Sequence, residues 1–264
     1  MSSAEVGLAH RAAAMNERDD IVRNLKQLVE LDRAAGMEFI WKESAPAPSV
    51  VAPSTLSSAR SPTAAKNPVA PAANTDSLTQ IATEIAACRA CGLCDGRNKT
   101  VPGEGSARAE LLFVGDGPDE QDDANGRPFA GVAGELLTKM IEAMGLKRDQ
   151  VFITNAVKCR LPEQRPPTSS EVTACQGFLQ RQIALIKPKI ICAFGSVPLR
   201  ALMNDNTLDI STMRGKKLLL NGIPLISTFH PRFLQSNPAA KKPCWEDLQL
   251  VLKELGRELP KRGG

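Results

Sequence analysis

The chain has 264 residues, of which 42% are hydrophobic and only 4% aromatic, with no tyrosine. This length suits one domain of about 150 to 200 residues with an additional segment, and excludes a chain of several full domains. The net charge is −1 over residues 1–77 and +5 over the other 187 residues. Such a mildly basic domain is compatible with a nucleic-acid partner, and equally with many enzymes of other kinds.

Targeting and redox chemistry follow from the N-terminus and the cysteines. The opening MSSAEVGLAHRAAAMNERDD has no continuous apolar stretch of the kind that a signal peptide needs. No segment reaches the roughly 20 apolar residues that span a bilayer, so no membrane association is expected. We expect a cytoplasmic protein of the bacterial cytosol or nucleoid, in which thiols stay reduced. Seven cysteines, an odd number, then argue against a disulfide framework and favour metal binding or buried thiols.

The first part of the chain predicts one helix and a linker. Apolar residues recur at helical spacing over 17–42, which predicts an amphipathic helix within an N-terminal segment of residues 1–43. Pro, Ala and Ser dominate residues 44–77 without a hydrophobic period, and this composition predicts a disordered linker. The globular domain should therefore occupy residues 78–258, followed by a flexible tail at 259–264.

The globular part alternates helices with short apolar strands. Helices are predicted over 78–88, 131–144, 169–186, 196–203 and about 243–256, and strands over 110–115, 151–154, 189–194 and about 223–228. Short apolar strands separated by helices indicate a parallel sheet that is covered on both faces. The predicted fold is an α/β three-layer sandwich with a central, mainly parallel four-stranded sheet flanked by helices, plus a flexible N-terminal extension.

Polar residues follow three of the predicted strands. Asp116 comes directly after the first strand, Asn155 ends the second, and His230 follows the last within a Phe-His-Pro sequence. Taken singly, such residues are usually turn formers, helix caps or structural groups. Open parallel sheets, however, bind ligands at the carboxyl ends of their strands. The three residues, with Phe129 from an adjoining loop, therefore predict one binding crevice.

Four cysteines are candidates for a metal site. Cys88 and Cys91 form a C-x2-C pair, and Cys159 and Cys175 lie further along the chain. Both zinc and an iron–sulfur cluster suit four thiolates at these spacings. Cys94 could replace Cys91 as a ligand or be a bystander. The two remaining cysteines, in an apolar strand and at a helix start, are expected to be small buried residues.

Five segments together resemble the family 4 type uracil-DNA glycosylases of the iron–sulfur superfamily. They are CRACGLCDGR, VPGEGSARAELLFVGDGP, GRPFAGVAGELL, FITNAVKCRLPEQRPPTSSEVTAC and ISTFHPRFLQSNPAAKKPCWEDL. They occur in the order of that family and cover nearly all of residues 78–256. The resemblance implies a DNA repair enzyme that flips uracil out of DNA and hydrolyses its N-glycosidic bond, leaving an abasic site. It also implies a structural [4Fe-4S] cluster held by Cys88, Cys91, Cys159 and Cys175.

The resemblance assigns base recognition to three residues. Phe129 matches the family phenylalanine that stacks on the flipped base. Asn155 matches the asparagine whose amide reads the polar edge of uracil and mismatches cytosine. His230 matches the histidine that donates a hydrogen bond to uracil O2 and stabilises the negative charge of the departing base.

The remaining resemblance concerns the loop after the first strand, where the chain departs from the family. Asp116 matches the acidic residue near the attacking water, although the family usually has Glu there. The backbone amides of Gly115 and Gly117 are implied to approach the base. Asp119 stands where the last glycine of the family motif is expected. These departures leave an alternative open, a weakly catalytic protein that binds uracil-containing or abasic DNA and recruits partners.

Phosphate contacts are expected from basic residues after the second and last strands. We select Arg165, Arg232, Lys241 and Lys242, since such side chains commonly bind DNA phosphates. The partner implied is uracil-containing DNA, single- or double-stranded, bound by a monomer. The helix predicted over 17–42 could pack on the domain or on another copy, or dock on a repair or replication protein.

Overall fold

The computed structural model describes residues 76–258. The helix predicted over 17–42, the linker up to residue 75 and the tail at 259–264 lie outside these residues. The helices are α1 Leu78–Ala87, α2 Glu120–Asn125, α3 Val132–Ala143, α4 Ser169–Ile186, α5 Ser196–Met203, α6 Ile210–Met213, α7 Pro231–Ser236 and α8 Lys241–Glu254. The strands are β1 Glu104–Gly105, β2 Leu111–Gly115, β3 Phe152–Asn155, β4 Ile190–Phe194, β5 Lys217–Leu220 and β6 Ile223–Thr228.

The strands form one sheet in the order β1-β3-β2-β4-β6-β5. The central four, β3, β2, β4 and β6, run parallel, whereas β1 and β5 pair antiparallel at the two edges. The predicted central, mainly parallel sheet is thus confirmed, but within residues 76–258 it has six strands instead of four. The two additional strands escape prediction because β1 has only two residues and β5 is a half-buried edge strand. β5 and β6 are joined through Asn221 and Gly222, both with positive φ, as a tight hairpin turn requires.

The sheet is buried on both faces, as the apolar strands predict. Alternate strand residues such as Phe113 and Phe194, whose rings stack with centroids 5.2 Å apart, pack with α3 and α8. The intervening residues, such as Val114 and Ala193, pack with α4 and α5 on the opposite face. Burying one large apolar side chain contributes about 1.5 to 3 kcal/mol. The sheet is therefore a well-packed middle layer that can hold the loops after its strands in fixed positions. The predicted three-layer architecture is confirmed.

Helix α1 is attached to α4 by charge as well as by packing. Arg181 on α4 forms an ion pair with Asp76, with Nη2 and Oδ1 2.8 Å apart, and a second one with Glu84. This attachment places the end of α1, and the cysteine-rich segment after it, beside α4. Between residues 76 and 258, no helix has both the length and the apolar character needed to cross a membrane.

Candidate active site

The carboxyl ends of β2, β3 and β6 bring the three predicted polar residues together at the edge of the sheet where the sequence predicts a crevice. A Cβ built on Gly115 would lie 2.5 Å from Asn155 Oδ1 and 2.7 Å from Cζ of Phe129. The rings of Phe129 and His230 stack with centroids 5.4 Å apart and an interplanar angle of 24°. Asp116 follows Gly115 directly, so the residues from three strand ends and one loop share a single site. The rule for open parallel sheets predicts this arrangement correctly.

Asp116 has an unusual carboxyl group. Its Oδ1 is shielded from solvent and has no hydrogen-bond partner within residues 76–258. Burial raises the pKa of this carboxyl from 3.8 to about 7, although the nearby positive charge of Arg232 acts in the opposite direction. Buried acceptors are nearly always paired in proteins. The orphaned oxygen therefore points to a water molecule or substrate atom as its partner.

The side-chain amide nitrogen of Asn155 also lacks a hydrogen-bond partner among the described residues. The residue ends β3 and is 1% exposed, yet its Nδ2 has no partner in the described part of the chain. Its backbone carbonyl accepts a hydrogen bond of 2.7 Å from Lys158 Nζ, which fixes the strand end. The crevice thus contains an orphaned donor on Asn155 and an orphaned acceptor on Asp116, a combination suited to a polar, flat ligand.

His230 is held as a neutral imidazole. It caps the N-terminus of α7, ahead of Pro231, and its Nδ1 accepts a hydrogen bond of 3.1 Å from the backbone N–H of Arg232. Burial, aided by the charge of Arg232, lowers the pKa of the imidazole to about 3. Because Nδ1 is an acceptor in a neutral ring, the proton lies on Nε2, which can donate to a ligand.

Phe129 is held in a conformation that few residues other than glycine adopt. Its φ is 52°, in the left-handed region. Arg148 Nη2 donates to the carbonyls of Pro128 (2.6 Å) and Phe129 (3.2 Å), and the N–H of Ala130 donates to Asp122 Oδ1 at 2.7 Å. Backbone strain of this kind costs about 1 to 3 kcal/mol and persists only when the surroundings enforce it. The position of the ring is therefore built into the loop.

The two glycines on either side of Asp116 have different surroundings. A side chain at Gly115 would collide with Asn155 and Phe129, both in the crevice. A Cβ at Gly117 would instead lie 2.6 Å from side-chain atoms of both Leu161 and Val157, which belong to the loop after β3. Packing alone explains the glycine at 117, so the base-facing role predicted for it stays a prediction. Gly195, which the sequence analysis did not single out, follows β4 with a φ of 97°. A Cβ built on it would lie 3.5 Å from Asp116 Oδ1.

A second cluster of residues surrounds a cavity beside α1 and α4. Its lining includes the four predicted ligands and a fifth cysteine, namely Cys88, Cys91, Cys94, Cys159 and Cys175. Arg97 also lines it and donates from Nη1 to Cys159 Sγ at 3.0 Å. Among residues 76–258, no three His, Cys, Asp or Glu side chains converge closely enough to bind a single metal ion. The other two cysteines, Cys192 and Cys244, are buried in the core as expected.

The basic residues selected for phosphate contacts fall into two groups. Lys241 and Lys242 are exposed at the start of α8, where a phosphate could reach them. Arg165 is instead engaged by Glu171 through two hydrogen bonds of 2.7 and 2.9 Å. Arg232 Nη2 lies 3.2 Å from Asp119 Oδ2, in an ion pair that joins the loop after β2 to helix α7. Asp119 also caps α2, a short helix that the sequence analysis did not predict. Its side chain accepts a hydrogen bond from the backbone N–H of Asp122.

The chain is similar to known proteins over most of its described part. A family model described as the uracil DNA glycosylase superfamily matches residues 102–249. A type-4 uracil-DNA glycosylase of Sulfurisphaera tokodaii is 45% identical over 184 residues, 67% of this chain and 84% of the relative. Relatives of the same name from Thermotoga maritima (41% identity, 69% and 97% coverage) and Archaeoglobus fulgidus (35%, 70% and 96%) are also similar. The chain therefore belongs to the uracil DNA glycosylase superfamily.

Proposed function

We propose that this chain is a uracil-DNA glycosylase that removes uracil from DNA by hydrolysis, leaving an abasic site for base excision repair. The observation that carries the proposal is the pair of orphaned polar atoms, Asp116 Oδ1 and Asn155 Nδ2, in the crevice that holds the Phe129 ring. The type-4 uracil-DNA glycosylases, to which the chain is similar over most of its described part, support the same activity. Reaction of a base inside the duplex requires that the nucleotide be flipped into such a pocket.

Base recognition is assigned to Asn155 and Phe129. Nδ2 of Asn155 donates to O4 of uracil, and Oδ1 accepts from N3–H, while the Phe129 ring stacks on the base. Cytosine presents an amino group and an unprotonated N3 at the same positions, so both hydrogen bonds would be lost. A site that hydrogen-bonds one base rejects its analogue strongly, because the buried polar groups are then left unpaired.

Bond cleavage is assigned to His230 and Asp116. As the bond to the sugar breaks, negative charge develops on uracil O2, where Nε2–H of the neutral His230 donates. This stabilises the transition state without transferring a proton. The Asp116 carboxyl, with a pKa of about 7, is suited to accept a proton from water or to stabilise the cationic sugar. A general base works best when its pKa lies near the operating pH.

The cysteine cavity supports an iron–sulfur cluster, because the four cysteines that the family resemblance implies as ligands all line it. Four thiolates are the ligands that a [4Fe-4S] cluster requires. Cys88, Cys91, Cys159 and Cys175 would hold it. When bound, the cluster would cross-link the segment after α1 to the loop after β3, through Cys159, and to α4, through Cys175.

DNA contacts are assigned to the four basic residues selected from the sequence, Arg165, Arg232, Lys241 and Lys242. The exposed Lys241 and Lys242 are available to phosphates directly, whereas Arg165 and Arg232 would exchange a carboxylate partner for a phosphate. Such contacts fix the position of the DNA without reading its sequence. The substrate is uracil-containing DNA.

The activity is tested with a labelled oligonucleotide that contains one uracil. Alkali cleaves at the abasic site, and a denaturing gel separates the product. Wild type should cleave only the uracil strand, and His230→Ala should lower the rate about 100- to 1000-fold, the usual cost of losing one such donor. Asn155→Ala should also lose most activity. Cluster-loaded wild type that shifts the uracil oligonucleotide without cleaving it would identify a binding protein instead.

Matched controls and a metal test complete the experiment. His10→Ala changes the other histidine of the chain, and Asn206→Ala changes an exposed asparagine, so both should retain activity. Purified protein with a cluster is brown and contains iron, whereas zinc protein is colourless. Cys159→Ala should lose the colour, while Cys192→Ala, at a buried cysteine outside the cavity, should retain it.

A further inference from the structure

Lys158 is a buried charged residue that the proposed mechanism does not use. Its side chain is among the largest that are fully buried, with 1% of the residue exposed. Its ammonium donates three hydrogen bonds, to Thr154 Oγ1 (2.6 Å), the Asn155 carbonyl (2.7 Å) and Gln182 Oε1 (2.8 Å). Burying an ammonium is costly unless it is paired and hydrogen-bonded. All three donors are satisfied here, so the position is specifically built for a lysine.

The three acceptors connect Lys158 to the end of β3, where Asn155 lies. Thr154 and Gln182 also donate to one further acceptor, the carbonyl of Pro102, at 3.0 and 2.6 Å. The ammonium and this carbonyl together clamp β3 against α4. The position and direction of the Asn155 amide depend on the strand end, so the clamp decides where the orphaned Nδ2 points.

Lys158 also faces the cysteine cavity. It precedes Cys159 and lines the cavity together with the five cysteines, and of the residues in that lining only Arg97 and Lys158 are cationic. Four thiolates give a bound cluster a net negative charge, which a nearby cation stabilises. Arg97 contacts Cys159 Sγ and the carbonyl of Cys88 but makes no hydrogen bond to Asn155. Lys158 both lines this cavity and hydrogen-bonds the Asn155 carbonyl.

We propose that Lys158 is a positioning residue that couples the cysteine site to the recognition of uracil. The negative charge of the loaded site holds the ammonium, and the ammonium holds the Asn155 carbonyl, so the amide meets the uracil edge in a fixed direction. The inference rests on the proposed function. Through this residue, a bound cluster would influence base recognition without touching a reacting atom.

The test compares Lys158→Met with wild type in three measurements. These are iron content with visible absorbance, kcat/KM on the uracil oligonucleotide for each cluster-loaded molecule, and the inhibition constant of free uracil. Residues that support metal ligands typically change affinity or activity about 10- to 100-fold. Lys158→Met should therefore lose iron and, in its loaded fraction, lower kcat/KM and raise the inhibition constant of uracil by about that factor. Lys216→Met, at an exposed lysine, should behave as wild type.

Two further variants separate the coupling from a loss of folding. Gln182→Met keeps the charge and removes one acceptor, so the cluster should remain while the inhibition constant of uracil rises. Arg97→Gln should lower iron content with a smaller effect on that constant than Lys158→Met. A loaded Lys158→Met or Gln182→Met with the wild-type inhibition constant would overturn the inference. If the wild-type protein cleaves the uracil oligonucleotide in the same assay, the proposed function would still hold. If the wild-type protein does not cleave it, the proposed function itself would be wrong.

Discussion

Adding one methyl group at Gly115 should disable the site while leaving the domain folded. The new Cβ would lie 2.5 Å from Asn155 Oδ1 and 2.7 Å from Cζ of Phe129, whereas ordinary contacts begin at 3.4 Å. The Asn155 amide must therefore retreat by about 0.9 Å. A misplacement of about 1 Å costs on the order of 100-fold in rate, or about 2.7 kcal/mol of transition-state stabilisation. Gly115→Ala should lower kcat/KM for uracil excision by about this factor.

Gly117→Ala is the matched comparison, because it introduces an equally severe contact outside the crevice. Its Cβ would meet Leu161 and Val157 at 2.6 Å, and overpacking of this kind typically destabilises a protein by about 1 to 3 kcal/mol. Thermal melting should therefore show a loss of stability, while single-turnover excision at low temperature should stay near wild type. Gly177→Ala, in the interior of α4 with no atom within 4 Å of the new Cβ, should leave excision unchanged and raise stability by about 0.5 to 1 kcal/mol. Wild-type excision by Gly115→Ala would refute the reasoning, as would equal inactivation by Gly117→Ala in folded protein.

Three further predictions concern charge. The pKa of Asp116 is about 7, so kcat/KM should rise as the pH increases through 7 and the carboxyl loses its proton. This rise should disappear in Asp116→Asn. A rise that persists in the variant would exclude the role of Asp116 as a base. The pKa of His230 is lowered to about 3, so NMR titration should find its imidazole neutral at pH 5 to 8, the range in which histidines ordinarily titrate, and a midpoint inside that range would contradict the neutral-donor assignment. Asp119→Gly removes the partner of Arg232; anisotropy measurements should show a salt dependence of DNA binding steeper by about one phosphate contact, and an unchanged slope would mean that Arg232 does not bind phosphate.

The long elements of the fold could be predicted from sequence because their patterns repeat. Strands β2, β3, β4 and β6 are apolar runs, and α3 and α4 show a helical period over at least three turns. Helices α2, α6 and α7 have only four to six residues, too few for a period to show. They form where a local cap meets a tertiary contact, as when Asp119 both caps α2 and pairs with Arg232, 113 positions away.

The candidate site could be predicted in outline but not in its electrostatics. A topological rule places Asp116, Asn155 and His230 at one edge of the sheet, and no side-chain detail is needed for that step. The orphaned atoms and the shifted pKa values arise from burial by distant segments, which local sequence does not encode. The role proposed for Lys158 could not be predicted from the local sequence for the same reason. Its hydrogen-bond partner Gln182 lies 24 positions away, on α4.

The strained backbone of Phe129 has a consequence for how base preference can change over time. A Cβ at Gly134 would lie 1.7 Å from the Phe129 carbonyl oxygen. The first turn of α3 can therefore pack against this loop only if residue 134 is glycine. The backbone that carries the ring is thus held by Arg148, Asp122 and Gly134 together. For the stacking role proposed for Phe129, this support means a pocket of constant width. New base preferences are then expected to arise by exchange of the polar groups around the ring.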